Sequence, residues 1–211
     1  MSTQPQIALE PRKTPVQARS TLTVEAIYEA TIQILLAVGP DRLTTTRVAE
    51  RAGVSVGTLY QYFPNKQSLL LSVLEKHQDR VVSAVELACG RNHGQPMSIM
   101  IASVVEAFVG AKMERSDISM ALYATAFGAP ERALAIKMGK RARAALVSML
   151  ATAPNTKITD LPFTSLMLIS AMGGATRAVL EAGSSPRMVR LLREQLALLC
   201  RGFLMSVATQ A

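Results

Sequence analysis

Apolar residues recur at intervals of three and four along most of the chain, which is the spacing of amphipathic α-helices. In the first such stretch, Val24, Ile27, Thr31 and Leu35 fall on one face. Strand signals are absent, because no stretch alternates apolar and polar residues. The pattern therefore predicts an all-α protein of about nine helices. The longer predicted helices are Thr23–Val38, Lys66–Cys89, Met97–Lys112, Asp117–Phe127, Glu131–Ala151, Pro162–Ala182 and Pro186–Ala208.

The densest set of structural signals lies between residues 44 and 69. Thr44 is placed to cap a short helix. Gly53 follows the last turn of that helix, where a residue without a Cβ allows the chain to reverse. The apolar face of this helix consists of Val48, Ala49 and Ala52.

A second short helix follows the turn. Ser55 can cap it, and Leu59 and Phe63 face inward. The outward positions hold two tyrosines around a glutamine, which suits a DNA groove because phenolic hydroxyls bond phosphate oxygens. These features predict a helix-turn-helix with residues 55–63 as its recognition helix. The residues expected to touch DNA are Thr44, Thr45, Arg47, Ser55, Gly57, Thr58, Tyr60, Gln61, Tyr62 and Lys66, with Thr45, Thr58, Gln61 and Tyr62 nearest the base edges.

The order of these residues resembles the N-terminal signature of the TetR family of bacterial transcriptional regulators. The matching motifs are Ala-Gly-Val-Ser at 52–55, Gly-Thr-Leu-Tyr-x-Tyr-Phe at 57–63 and Asn-Lys-x-x-Leu at 65–69. The remaining two thirds of the chain are similar only in length and helical character. The resemblance implies a second domain that binds an effector and moves the DNA-binding part through the long helix after Lys66.

The sequence predicts three regions. Residues 1–20 carry several prolines and basic residues without apolar periodicity, so we expect a disordered basic arm. This arm either contacts DNA or is a flexible tail without a binding role. It is not a signal peptide, because no apolar segment of the needed length follows the charges. Residues 21–67 form a three-helix helix-turn-helix DNA-binding domain, and residues 68–211 form a larger helical domain for effector binding and dimerisation.

The last two predicted helices suit a dimer interface. Small residues recur every four positions on the first, and the second carries a wide apolar stripe. Such a pair can form a four-helix interface with its copy, and recognition of two half-sites needs a dimer. The alternative is that both helices pack only within their own domain. The expected interface residues are Ser170, Gly174, Ala178, Leu192, Leu199 and Phe203.

Methionine-rich helices give the second domain an adaptable interior, since the chain has 11 Met. This interior could enclose a cavity for a lipophilic effector. The alternative is an ordinary core, because helical apolar stripes are usually buried faces. The candidate cavity residues are Met100, Val104, Phe108, Met120, Tyr123, Phe127, Met138, Met167 and Met172.

Charge adds local rather than global support for DNA binding. The net charge is +8, but most of the basic surplus lies beyond residue 80. The segment from residue 42 to residue 66 contains four basic residues, Arg42, Arg47, Arg51 and Lys66, and a single acidic residue, Glu50. No apolar run looks long and uncharged enough to cross a membrane. A further run of basic residues lies in the predicted helix Glu131–Ala151. We interpret it as a solvated helix face, and the alternatives are that it binds DNA, an anionic ligand or an acidic partner. That run is Lys137, Lys140, Arg141 and Arg143.

Metal, redox and catalytic signals are missing. Cys89 and Cys200 lie far apart in apolar helical contexts, which indicates buried, reduced thiols in a cytoplasmic protein. His77 and His93 lack carboxylate or thiol partners at metal-ligand spacing. No nucleophile elbow, phosphate-binding glycine loop or dinucleotide fingerprint is present. We therefore expect no cofactor, no metal and no enzymatic activity.

Together these features predict a cytoplasmic, homodimeric, sequence-specific DNA-binding transcriptional regulator. The resemblance implies a repressor released from its operator by a small lipophilic effector. The alternative is a DNA-bound structural or cell-organisation factor that recruits a protein partner and needs no small molecule. A continuous apolar cavity in the second domain would favour the first, and a solid domain with a conspicuous surface patch would favour the second.

Overall fold

The computed structural model describes residues 18–123 and 128–210, and these form nine helices and two short strands. The predicted all-α class is therefore confirmed. The helices are α1 Ala18–Arg42, α2 Thr45–Ala52, α3 Val56–Tyr62, α4 Lys66–Arg91, α5 Met97–Glu114, α6 Ser116–Tyr123, α7 Ala129–Leu150, α8 Leu161–Glu181 and α9 Pro186–Val207. The predicted arm falls outside the described residues, except that Ala18–Ser20 form the first turn of α1.

The structure contains two short strands, although the sequence carries no strand signal. Strand β1, Thr156–Ile158, pairs antiparallel with β2, Ala208–Gln210. Each strand has three residues, which is too short to produce a recognisable alternation. Asn155, with a φ of 52°, turns the chain into β1, and Ile158 is buried. The pairing therefore joins the end of α9 to the connection between α7 and α8.

Helix α1 continues past its predicted end at Val38. Gly39 leaves the helical conformation with φ 77° and ψ 171°, as a chain-breaking glycine should. The chain then resumes a helical turn at Pro40 that runs to Arg42, because proline is well suited to a first helical turn. The predicted break is present, but it is a kink rather than a stop.

Two helices meet the length and apolarity of a membrane span, contrary to the sequence expectation. They are Ser20–Arg42 and Leu161–Glu181. Length and composition alone are weak evidence for a span, because the core helix of a soluble protein passes the same test.

The chain divides into two compact units, Met1–His77 with Ala121–Arg132 and Gln78–Met120 with Ala133–Ala211. In the first, α1 packs on α2 and α2 on α3. Its largest fully buried side chains are Ile27, Leu35, Leu43, Leu59, Phe63 and Leu69. In the second, α9 packs on both α5 and α8. Its largest fully buried side chains are Met100, Ile101, Leu146, Met149, Leu168 and Met172.

Both cysteines are free and buried, as the sequence predicts. Cys89 lies in α4 and Cys200 in α9. Burial raises the pKa of each thiol to about 11, because the thiolate loses its hydration. The reactive thiolate is therefore scarce at neutral pH.

Candidate nucleic-acid interface

Helix α2 begins and ends at the residues that the sequence predicts. Thr44 is extended, and its hydroxyl accepts a hydrogen bond from the Arg47 backbone N–H at 3.3 Å. Gly53 adopts a left-handed conformation with φ 67°. Its N–H donates to the Glu50 carbonyl at 3.1 Å, which satisfies one of the last carbonyls of the helix. The turn between the two helices is thus determined locally.

Helix α3 is capped by Ser55, whose hydroxyl accepts from the Thr58 backbone N–H at 3.0 Å. The same Oγ lies 2.8 Å from the Thr58 hydroxyl oxygen. Leu59 and Phe63 are buried, as predicted, so one side of α3 is fixed against the unit. The opposite side remains available for outside contacts.

Replacing Ser55 with Ala removes this cap. The free energy of unfolding should fall by about 1 kcal/mol, since a lost serine cap typically costs 0.5–2 kcal/mol. Urea unfolding followed by circular dichroism measures the change. Ser55→Thr retains the hydroxyl and should lose much less. Equal losses in both variants would contradict the capping role.

One contact joins predicted DNA-contacting residues of α2 and α3. The Tyr60 hydroxyl lies 3.1 Å from the Thr45 hydroxyl oxygen, which links the recognition helix to the first turn of α2. Gly57 and Gln61 are exposed and Tyr60 is 40% exposed. Thr58 and Tyr62 are half-buried, and Thr44 and Arg47 are exposed. The two short helices thus present hydroxyls, an amide and a glycine backbone, which is the chemistry that phosphates and base edges require.

Two of the cations predicted to touch DNA already bind protein carbonyls. Arg47 donates from Nη1 to the Arg42 carbonyl at 3.3 Å, and Lys66 donates from Nζ to the Asp41 carbonyl at 3.1 Å. These carbonyls close the last turn of α1, where cations are favourable because the helix dipole is negative there. Neither bond is predicted by the sequence pattern. Lys66 and Asp41 are 25 residues apart, so no local pattern could reveal their contact.

The candidate cavity residues have mixed positions. Met100, Val104, Met138 and Met172 are buried inside the second unit, and Met120 and Phe108 are half-buried. Met167 is 43% exposed on α8, which removes it from any interior site. The side chain of Tyr123 and all of Phe127 lie outside the described residues.

The second unit also holds a poorly hydrated cation. Lys112 lies in the last turn of α5, and burial lowers its pKa to about 8. A hydrogen bond from Ser119 Oγ to the Lys112 carbonyl, at 3.2 Å, ties this turn to α6. The sequence pattern does not predict this lowered pKa, because a single lysine between apolar neighbours also occurs on exposed helix faces.

The expected dimer residues lie on an apolar surface of α8 and α9. Ser170, Gly174 and Ala178 are exposed on α8, and Leu199 is 57% exposed on α9. Leu192 is buried within its own unit, so it supports this surface rather than forming it, and Phe203 is half-buried. Further large apolar side chains of these two helices are also exposed. These are Phe163, Leu166, Leu191, Leu198 and Met205.

The basic run on α7 includes one cation with fixed partners. Arg141 donates to Glu86 at 2.7 Å and also binds Asp79, two acidic residues of α4. These two carboxylates raise the pKa of the Arg141 guanidinium. Arg143 donates to the Gly139 carbonyl at 3.4 Å. Arg141 is therefore a structural cation of the second unit.

We also searched the described residues for metal sites and ligand-binding clefts. They contain no group of three or more His, Cys, Asp or Glu that could hold a metal ion. Two shallow clefts of the second unit, of about 650 and 330 Å³, open on its surface, beside Arg91 and Arg201 respectively. None of the candidate cavity residues lines either cleft.

Curated relatives match only part of the chain. The transcriptional repressor KstR of Rhodococcus jostii is 37% identical over 81 residues, which is 38% of this chain and 38% of KstR. The nucleoid occlusion factor SlmA of Haemophilus influenzae is 37% identical over 60 residues, 28% of this chain and 27% of SlmA. The chain thus matches less than two fifths of the length of either relative.

Solved structures share the whole fold at low identity. The regulator FadR of Bacillus subtilis, determined in complex with stearoyl-CoA, superposes with a TM-score of 0.69 at 17% identity. The match covers 84% of this chain and 98% of FadR. At this identity the likeness establishes the fold alone.

Two family models together cover most of the described chain. Residues 27–73 match the tetR family of bacterial regulatory proteins, and these residues include α2, α3 and their caps. Residues 96–204, more than half of the chain, match the tetracyclin repressor-like C-terminal domain. The chain therefore belongs to the tetR family of bacterial regulatory proteins.

Proposed function

We propose that this protein is a sequence-specific DNA-binding transcriptional regulator and that α3 is its recognition helix. The observation that carries the proposal is the capped α2–turn–α3 unit, with Leu59 and Phe63 buried and Gly57, Tyr60 and Gln61 exposed. Rigid caps and a rigid turn hold the exposed side chains in one arrangement, as base reading requires. Residues 21–67 form the DNA-binding domain.

Release by a small lipophilic effector is the second part of the proposal. Residues 68–211 form the effector-binding and dimerisation domain. Met100, Val104, Met138 and Met172 are buried in this domain, and methionine side chains can repack around varied shapes. KstR is named a repressor, and FadR was solved with stearoyl-CoA. A repressor that responds to a lipophilic compound is the function that best fits these supports.

A homodimer follows from the apolar surface of α8 and α9. Several large apolar side chains of these two helices are exposed, as is typical of an association surface, and exposed Gly174 and Ala178 let another helix approach closely. A dimer would supply the two recognition helices that two half-sites require. Operation as a cytoplasmic protein without a cofactor is part of the same proposal.

A second candidate function rests on the SlmA match. A nucleoid occlusion factor would use the same DNA-binding domain and recruit a protein partner without a small molecule. Its similarity spans 60 residues, fewer than the 81 matched by KstR, so we place it second.

A salt-resolved titration tests both candidates. The full-length protein is titrated onto duplexes selected by it from a randomised library and onto scrambled duplexes of equal length. The series is repeated with lipophilic compounds that include a long-chain acyl-CoA. Tight selected binding abolished by one compound supports the effector-released repressor. Selected binding that no compound disturbs supports the second candidate, and equal binding to both duplexes contradicts sequence-specific recognition.

Replacing Lys66 with Ala should weaken binding to selected and scrambled duplexes alike. Loss of one phosphate contact should lower the slope of log affinity against log salt by about 0.9. Lys66→Arg keeps the charge and should restore the slope. Lys140→Ala, an exposed change on α7, is the matched charge control and should leave it unaltered. An unchanged slope for Lys66→Ala would contradict the phosphate role.

A further inference from the structure

A cluster of four side chains joins three elements of the first unit behind the recognition helix. Tyr28 of α1 meets Phe63 edge to face, with ring centroids 5.7 Å apart and planes inclined by 66°. The Lys76 ammonium, from α4, lies 4.6 Å from the centroid of the Tyr28 ring. Lys76 also pairs with Glu25 of α1. We name these four residues the Tyr28 cluster.

Phe63 gives this cluster its connection to the candidate DNA-binding surface. It is the C-cap of α3, and its N–H donates to the Leu59 carbonyl at 2.9 Å. Tyr60, Gln61 and Tyr62 occupy the turn that Phe63 closes. Because Phe63 is fully buried, a shift of its ring must move the end of α3.

Lys76 and Glu25 are expected to contribute little to the free energy of unfolding. Lys76 and Glu25 are each about half exposed, and ion pairs of this exposure typically contribute only about 0–1 kcal/mol. A cation over an aromatic face adds roughly 0.5–1 kcal/mol at exposed sites, and it also restricts the orientation of the ring. The distinctive consequence of the arrangement is therefore geometric, since it fixes the Tyr28 ring against Phe63.

We propose that Tyr28 and Lys76 are positioning residues that determine DNA specificity by holding the C-terminal end of α3 through Phe63. The proposal rests on the function proposed above. Neither residue needs to touch DNA. Base-edge hydrogen bonds require alignment within about 0.5 Å, whereas long side chains can follow phosphates over larger displacements. A loosened α3 should therefore lose discrimination between sequences before it loses general affinity.

The test compares full-length variants on selected and scrambled duplexes across a salt series. Tyr28→Leu keeps an apolar side chain but removes the ring, and Lys76→Gln removes the cation. Lys76→Arg retains both the charge and the ability to lie over the ring. Arg80→Gln is the matched control, because Arg80 lies one turn further along α4, is similarly exposed and pairs with Glu114.

We expect Tyr28→Leu to lower the ratio of selected to scrambled affinity about tenfold and Lys76→Gln about threefold. The double variant should match Tyr28→Leu alone, since both changes disrupt one contact. Lys76→Arg should restore the ratio. Affinity for scrambled DNA, the salt slope and Arg80→Gln should all match the unaltered protein. Urea unfolding of each variant separates these effects from loss of folded protein.

Three outcomes would overturn the proposal. Equal weakening on both duplexes with a flatter salt slope would make Lys76 a phosphate ligand. Unchanged ratios in every folded variant would make the cluster purely structural. If Tyr28→Leu does not fold, Lys76→Gln and its rescue by Lys76→Arg decide alone, and no rescue rejects the proposal. Failure of the proposed function is distinct, because the unaltered protein would then not discriminate between the duplexes.

Discussion

Replacing Phe63 with Ala should lower the free energy of unfolding by about 3–5 kcal/mol, the usual cost of emptying a buried phenylalanine site. Phe63 is 1% exposed and contacts Tyr28 at the end of α3. The void lies between α1 and α3, so the variant should lose both stability and selective DNA binding. Urea unfolding measured by circular dichroism gives the first quantity, and duplex titration gives the second.

Leu22→Ala is the control for this change. Leu22 belongs to the same unit but is 71% exposed, so its truncation should alter the free energy of unfolding by less than about 0.5 kcal/mol. A loss for Phe63→Ala no larger than that of Leu22→Ala would show that the end of α3 is not held by packing.

Replacing Lys112 with Met should remove an alkaline rise in stability. The pKa of Lys112 is lowered from 10.5 to about 8 by burial, so between these values the unfolded chain binds more protons than the folded chain. Stability of the unaltered protein should therefore gain about 2 kcal/mol from this group between pH 8 and 10.5, less than the full shift implies because solvent still screens part of the side chain.

The Lys112→Met protein lacks this group, so its own curve should rise less over the same interval. Urea unfolding at half-unit pH steps measures both curves. Lys140→Met, an exposed substitution, should follow the unaltered protein throughout. Parallel curves for Lys112→Met and the unaltered protein would reject the lowered pKa.

The parts of the fold that sequence could predict are those with local causes. Thr44, Gly53 and Ser55 act within five residues of the groups that they satisfy, so cap and turn chemistry identified them correctly. The short pairing of β1 with β2 joins segments about fifty residues apart, and three-residue strands carry no readable period.

The parts that sequence could not predict depend on which helices meet. Helical periodicity identifies faces but does not say what covers them, which is why Met167 and Met172 received the same assignment although one is exposed and the other buried. The same limitation applies to Lys66, whose residue type suits a phosphate and a helix carbonyl equally. The assignment of Thr45, Thr58, Gln61 and Tyr62 to the base edges stays a prediction, because residue type alone does not say which group a side chain contacts.

The burial of both cysteines has a practical consequence for following motion in this protein. Cys89 and Cys200 are the only cysteines in the chain, and their thiols are inaccessible and weakly acidic. A single cysteine introduced on the surface would then be the one fast-reacting maleimide target at neutral pH. Fluorophores or spin labels can be attached at chosen helices of the native background, without first removing two core side chains.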